Sequence, residues 1–85
     1  MDAVTPAIFS RLRSIMIGVI HVIVNGGTHR FEQPLELAAL LARLELAGKK
    51  IAVERNGEIV PRSAHGSTLV LDGDRLEIVV AVGGG

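Results

Sequence analysis

The sequence has no cysteine, tryptophan or tyrosine and carries no formal net charge. The missing thiols exclude disulfides, thiolate metal sites, cysteine nucleophiles and thiol redox chemistry in one step. Lys plus Arg and Asp plus Glu number 9 each, so the overall charge does not favour a phosphate backbone. Aromatic residues make up 2% of the chain, which leaves no platform for stacked bases. Nucleic acid is therefore not an expected partner. Long apolar runs are missing too. The longest, Ile15 to Val24, is broken by Gly18 and His21 and is about half the ~20 residues a spanning helix needs. A membrane is not an expected partner either. Arg11 and Arg13 precede that run, as in a signal peptide. However, the run leads straight into a strand pattern, and cleavage within it would destroy the domain. A cytoplasmic protein is the default expectation.

What is present is ordinary globular material: 85 residues, 48% hydrophobic and 21% charged. That is one small domain with one core. Residues 1–18 show no clean period and read as an N-terminal extension, expected to be disordered or a misassigned start, with Met16 a plausible true start. Residues 19–82 read as the folded domain and 83–85 as a flexible glycine tail. Val19 to Val24 is a strand with Ile20, Val22 and Val24 on one face and His21 and Ile23 on the other. Asn25-Gly26 is a strong hairpin signal, because both residues tolerate positive φ. Thr28 to Glu32 is the return strand.

Pro34 suits the first turn of a helix. Leu37, Leu40, Leu41 and Leu44 follow at i, i+3, i+4 and i+7, one face of an amphipathic helix. Glu36 and Arg43 complement the helix dipole, and Gly48 is expected to close the helix. Lys49 and Lys50 read as a solvated break. Ile51 to Arg55 is a third strand, and Asn56-Gly57 a second hairpin turn into Glu58–Val60, stopped by Pro61. Arg62 to Ser67 is polar loop and Thr68 to Leu71 a short apolar piece. Asp72-Gly73-Asp74 is a turn. Arg75 to Val82 alternates, with Leu76, Ile78, Val80 and Val82 on one face. One helix offers one apolar face, so it packs across one side of a mixed sheet of four to five strands. A right-handed crossover places the third or last strand beside the first. The expected class is α+β, a ubiquitin-like β-grasp.

No catalytic site is expected in the folded body, and no cofactor or metal. Asp72 and Asp74 flank a glycine, where turn formation and solvation are the ordinary roles. Ser63 and His65 are close in sequence but lack an acid to orient the imidazole, and read as surface loop. His21, His29 and His65 lack metal-ligand spacing. Gly26-Gly27 leads into a strand and not a helix, so it is no phosphate loop.

The terminus differs. At an average usage of ~7%, three consecutive glycines have a chance of roughly 3 in 10,000. Gly83-Gly84-Gly85 leaves directly from the alternating strand. Without Cβ atoms such a tip can thread a narrow channel. It presents an α-carboxylate with a pKa of roughly 3.3–3.7, ionised at neutral pH and a poor electrophile. To become an acyl donor it must be activated, for instance as a mixed anhydride with a nucleotide phosphate. A compact domain ending this way is a carrier whose cargo hangs on its last atom.

Ala52-Val53-Glu54-Arg55-Asn56-Gly57-Glu58-Ile59-Val60-Pro61-Arg62-Ser63, then Asp72-Gly73-Asp74-Arg75-Leu76-Glu77-Ile78-Val79 and Ala81-Val82-Gly83-Gly84-Gly85, resemble the ThiS family of sulfur carriers in thiamin biosynthesis. The resemblance runs over about Val19 to Gly85. It implies that a ThiF-like ATP-using enzyme adenylates the carboxylate of Gly85. Sulfur derived from cysteine by a desulfurase then gives a thiocarboxylate, which supplies a ThiG-like thiazole synthase. On this resemblance Gly85 is the modified residue, Gly84 and Gly83 are needed for activation, and Val82 and Ala81 enter partner sites with them. The open sheet face is the expected partner surface, with Val79 and Ala81, and Ile23 beside them, as an apolar patch and Arg75, Glu77 and Arg62 as a polar rim. Alternatives in the same class are the small subunit of molybdopterin synthase and a carrier for cysteine synthesis. The former resembles aromatic- and proline-rich sequence before its glycines, whereas Ile78 to Val82 has neither. A ubiquitin-like protein modifier and a plain interaction module remain open.

Overall fold

The computed structural model describes residues 18–81. Residues 1–17 and 82–85 lie outside the described residues, and with them all of the expected extension 1–18 but Gly18, the last residue of the expected domain 19–82, and the whole expected tail 83–85. Two Asn-Gly turns organise the sheet. Strand β1, Ile20–Val24, turns through Asn25-Gly26 into β2, Gly27–Phe31. Strand β4, Ile51–Arg55, turns through Asn56-Gly57 into β5, Glu58–Val60. Both turn asparagines sit in the left-handed region, Asn25 at φ 48° and Asn56 at φ 52°, with their glycines at 84° and 88°. Two successive positive φ values make the turn whose twist matches a right-handed hairpin.

The last strand, β7 (Arg75–Val80), lies between these hairpins. It is parallel to β1 and antiparallel to β4, giving the order β2-β1-β7-β4-β5. A second, two-stranded sheet pairs β3, Leu35–Glu36, with β6, Leu69–Val70. The single helix, α1 (Leu37–Arg43), contributes Leu37, Leu40 and Leu41 to one core with Ile20, Val22, Val24, Phe31, Leu35, Val53, Val70, Leu76 and Ile78. This is the expected β-grasp, and of the two placements considered for the first strand's neighbour it is the last strand that occurs.

The helix begins at the first leucine of the expected face, later than Pro34, and ends at Arg43, well before Gly48. Pro34 precedes β3 and is not in a helical turn. Glu36 holds the N-cap position with no side-chain cap bond. The first helical N–H groups are instead taken by loop carbonyls: Leu37 N–H donates to Thr68 O at 2.8 Å and Ala38 N–H to His65 O at 2.9 Å. At the other end, Glu45 N–H donates to Ala42 O and Leu46 N–H to Leu41 O. That is a Schellman closure, with Glu45 as its left-handed residue at φ 60°. Gly48, also left-handed at φ 81°, lies in the following turn and does not close the helix. A Cβ in that conformation costs about 1–2 kcal/mol. Glu45→Gly is therefore expected to raise stability by about 0.5–1 kcal/mol after the greater freedom of the unfolded chain is counted. A matched pair of urea melts measures it.

At seven residues α1 spans about 10 Å, too short to cover the far end of β7. Val80 is therefore 42% exposed, although the alternation placed it with Leu76 and Ile78 in the core.

Candidate functional site

Both Asn-Gly turns and the start of β4 hold β7, the last strand of the described residues. Its first half is held from the β4–β5 turn. The Asn56 Oδ1 accepts from Arg75 N–H at 2.9 Å, while Asn56 N–H donates to Arg75 O at 2.8 Å. Its middle is held from the β1–β2 turn, where the Asn25 amide brackets Ile78. Asn25 Oδ1 accepts from Ile78 N–H at 2.7 Å, and Asn25 Nδ2 donates to Ile78 O at 3.0 Å. Its end is held by Ala81 N–H, which donates to Lys50 O at 2.8 Å. Ala81 is the last described residue. Gly83, Gly84, Gly85 and Val82 lie outside the described residues.

The turn before β7 differs from its expected solvated form. Asp72 is exposed, and its Oδ1 accepts from His21 N–H at 2.7 Å. Asp74 is buried. Its Oδ2 accepts from Arg55 Nε and from Leu71 N–H, both at 2.9 Å, and its Oδ1 accepts from Asn56 Nδ2 at 3.0 Å. Burial pushes this carboxyl up, but the Leu71 N–H, the Asn56 amide and the Arg55 guanidinium together outweigh it and hold it below the ordinary 3.8. Arg55 shares the Ile51/Val53 face of β4, where its side chain partners Asp74.

The loop after β5 also departs from expectation. Arg62–Ala64 forms one 3₁₀ turn. Ser63 is exposed, but His65 is buried, with Nε2 3.2 Å from Val60 O. A carbonyl accepts, so Nε2 carries the proton. The imidazole ties the end of β5 to the loop that caps α1, which in turn fixes Arg62 beside the end of β7. Among the described residues, no group of three His, Asp or Glu is arranged to hold a metal.

The expected partner residues separate into two places. Arg62, Val79 and Ala81 line one groove of about 370 Å³ with Lys50, Ile51 and Ala52. Arg75 lines another, of about 500 Å³, with Glu54, Asn56, Gly57, Gly73 and Glu77. Four residue steps along the strand, about 13 Å at ~3.3 Å each, separate Arg75 from Val79. Val79 is 65% exposed, as the alternation required, while Ile23 is half-buried. Ile59 is also 65% exposed. It lies beside Glu54, which pairs with Glu77, on the open face. Sequence reading missed Ile59 and Lys50. The signal for Ile59 was available: in Glu58-Ile59-Val60, adjacent apolar residues must face opposite sides. Lys50 carried no signal, since only the β4–β7 pairing brings it beside Ala81.

The ThiS family model matches residues 19–85. The chain is 45% identical over 64 residues to a thiazole synthase of Paramagnetospirillum magneticum, covering 75% of this chain and 20% of that protein. It is 39% identical over 62 residues to a thiazole synthase of Magnetococcus marinus, covering 73% and 19%. The chain thus spans about a fifth of the length of these relatives. Among solved structures it is similar to a thiamine biosynthesis protein (ThiS) from Geobacter metallireducens, at 35% identity and a TM-score of 0.68, over 78% of this chain and 100% of that one. With the family pattern running from the first strand to the terminal glycines, and the same fold at that identity, the chain belongs to the ThiS family.

Proposed function

We propose that this protein is a sulfur carrier of thiamine biosynthesis whose cargo is held on the carboxylate of Gly85. A carboxylate oxygen of Gly85 attacks the α-phosphorus of ATP in an adenylating enzyme, and pyrophosphate leaves. Hydrosulfide, released from cysteine-derived sulfur at the sulfide oxidation level, then attacks the acyl carbon and displaces AMP, leaving a thiocarboxylate. Its sulfur passes to the substrate of thiazole synthase in exchange for an oxygen from that substrate or from water, and the carboxylate returns. The folded domain supplies recognition and a fixed base for the tail, and the partner enzymes supply the chemistry.

The observation that carries this reading is the family match extending through Gly83-Gly84-Gly85, on a chain whose last described residue is still bonded to the sheet at Lys50. The thiazole synthases that share a related stretch support that enzyme as the sulfur acceptor. Intact-mass spectrometry tests the reading. After incubation with an adenylating enzyme, ATP, magnesium and a sulfur source, the mass is expected to rise by one sulfur-for-oxygen exchange. Deletion of Gly84 and Gly85 should abolish the gain and leave the melting temperature unchanged. A purified native protein longer than Gly85, or no gain with an adenylating enzyme competent on its own carrier, would sink it.

A further inference from the structure

Two grooves, one at the end of β7 and one under the end of α1, share Arg62 and Ile51. The first adds Lys50, Val79 and Ala81; the second, a cleft of about 280 Å³ under the end of α1, adds Lys49 and the buried His65. Neither is lined by an Asp or a Glu. Lys49, Lys50 and Arg62 are all exposed, and none lies within salt-bridge distance of a carboxylate among the described residues. On a chain with no net charge, this is a local excess of positive charge where the backbone leaves the sheet. The opposing carboxylates sit further back on the same face, as the directly paired Glu54 and Glu77.

We propose that Lys49, Lys50 and Arg62 form a docking surface for an acidic rim around the active-site entrance of the thiazole synthase. The proposal rests on the carrier reading, because it uses the reach of the tail. Four residues follow Ala81, and at ~3.3–3.6 Å each they extend at most about 14 Å. A catalytic group that meets the Gly85 carboxylate therefore brings its own protein surface against the root of the tail. The three cations then lie within the contact, beside the exposed Val79. Facing neutral or basic protein, they would lose water without a partner. Facing carboxylates, they steer the encounter and fix which way the tail enters. The Glu54–Glu77 pair behind them repels the same rim and so disfavours docking in the reverse orientation.

The test measures association of the full chain with the purified thiazole synthase of the same organism by stopped flow, at several salt concentrations. Lys50→Glu combined with Arg62→Glu is expected to lower the association rate constant at low salt by about 10–100-fold and to flatten its salt dependence. Arg30→Glu, on β2 at the opposite edge of the sheet, should leave both unchanged. Equal rates and equal salt slopes for wild type and double variant would overturn the docking surface. The carrier reading would survive, since thiocarboxylate formation on wild type is read separately by mass. Failure of that mass gain overturns the carrier reading and the docking with it. Two other outcomes overturn the assignment of the rim alone. One is perturbation of the Lys50 and Arg62 amide signals by ATP and magnesium without protein, which makes the cations a phosphate site. The other is self-association lost in the same variant, which puts Glu54 and Glu77 of a second copy against the groove.

Discussion

Asp74→Ala is expected to remove about 3 kcal/mol of stability, the largest loss from any single polar side chain of this fold. The carboxylate accepts three hydrogen bonds from two segments: one from Leu71 just before it, and two from the consecutive Arg55 and Asn56 of the β4–β5 hairpin. Its side chain is 9% exposed. Removing it strands an N–H, an amide and a guanidinium together. Breaking a buried pair from one side costs about 3–5 kcal/mol. Arg55 keeps 30% of its side chain in water, so its stranded charge is partly solvated and the lower end applies. For a domain this small, with a total stability of about 5–10 kcal/mol, the melting temperature should fall by roughly 12–24 °C. A drop of only a few degrees would mean that the cluster is solvated in solution. Asp74→Asn keeps one acceptor and should lie between wild type and alanine.

The same cluster sets the acid limb of the stability profile. The Asp74 carboxyl is held below its ordinary 3.8 in the folded protein. The folded state therefore releases this proton more readily than the unfolded chain does. The resulting stabilisation is complete above the ordinary carboxylate value and is lost as pH falls below it toward the folded value. Urea melts between neutral pH and pH 3 should show wild type losing stability in that window and Asp74→Asn losing less. Parallel curves would assign the acid sensitivity to other carboxylates.

Strands and turns were legible because their signals are local. Both Asn-Gly pairs mark real hairpins, and the Leu76/Ile78 alternation found the core face of β7. The limits of α1 were not legible, because its N-terminal donors are satisfied by His65 O and Thr68 O, carbonyls distant in sequence. Its C-terminus was misplaced for a second reason: Glu45 takes the left-handed position that composition assigns to Gly48. Asp74 and His65 were read as surface residues because their partners, Arg55 and Val60, come from other elements. The partner surface divides the same way. Val79 follows from alternation alone. That Arg62 stands by Ala81 while Arg75 stands a strand's length away depends on the loop that His65 anchors.

The second large effect is expected at Asn25, where the turn residue and the strand clamp are one side chain. Beyond Val24 the β1 backbone turns away, and only Asn25 N–H, donating to Leu76 O at 2.9 Å, continues the β1–β7 ladder. The side-chain amide then takes the place of the missing strand residue by bonding both the N–H and the C=O of Ile78. Only a group with a donor and an acceptor side by side can do this, and among turn residues that tolerate φ near 48°, asparagine alone has both. Asn25→Asp preserves size and turn preference but sets a carboxylate oxygen against the Ile78 carbonyl. The cost is about 2–3 kcal/mol, from a lost bond, an unpaired carbonyl and a repulsion. Asn25→Gly relieves the turn and loses both bonds without the repulsion, so it should cost about 1 kcal/mol less than aspartate. Hydrogen exchange locates the effect: in Asn25→Asp the amides of Ile78 and Ala81 should lose protection before those of Val22 and Val53. Uniform loss across the sheet would mean that the clamp serves global stability alone. Selective loss would tie the β1–β2 turn to the strand end from which the glycine tail departs.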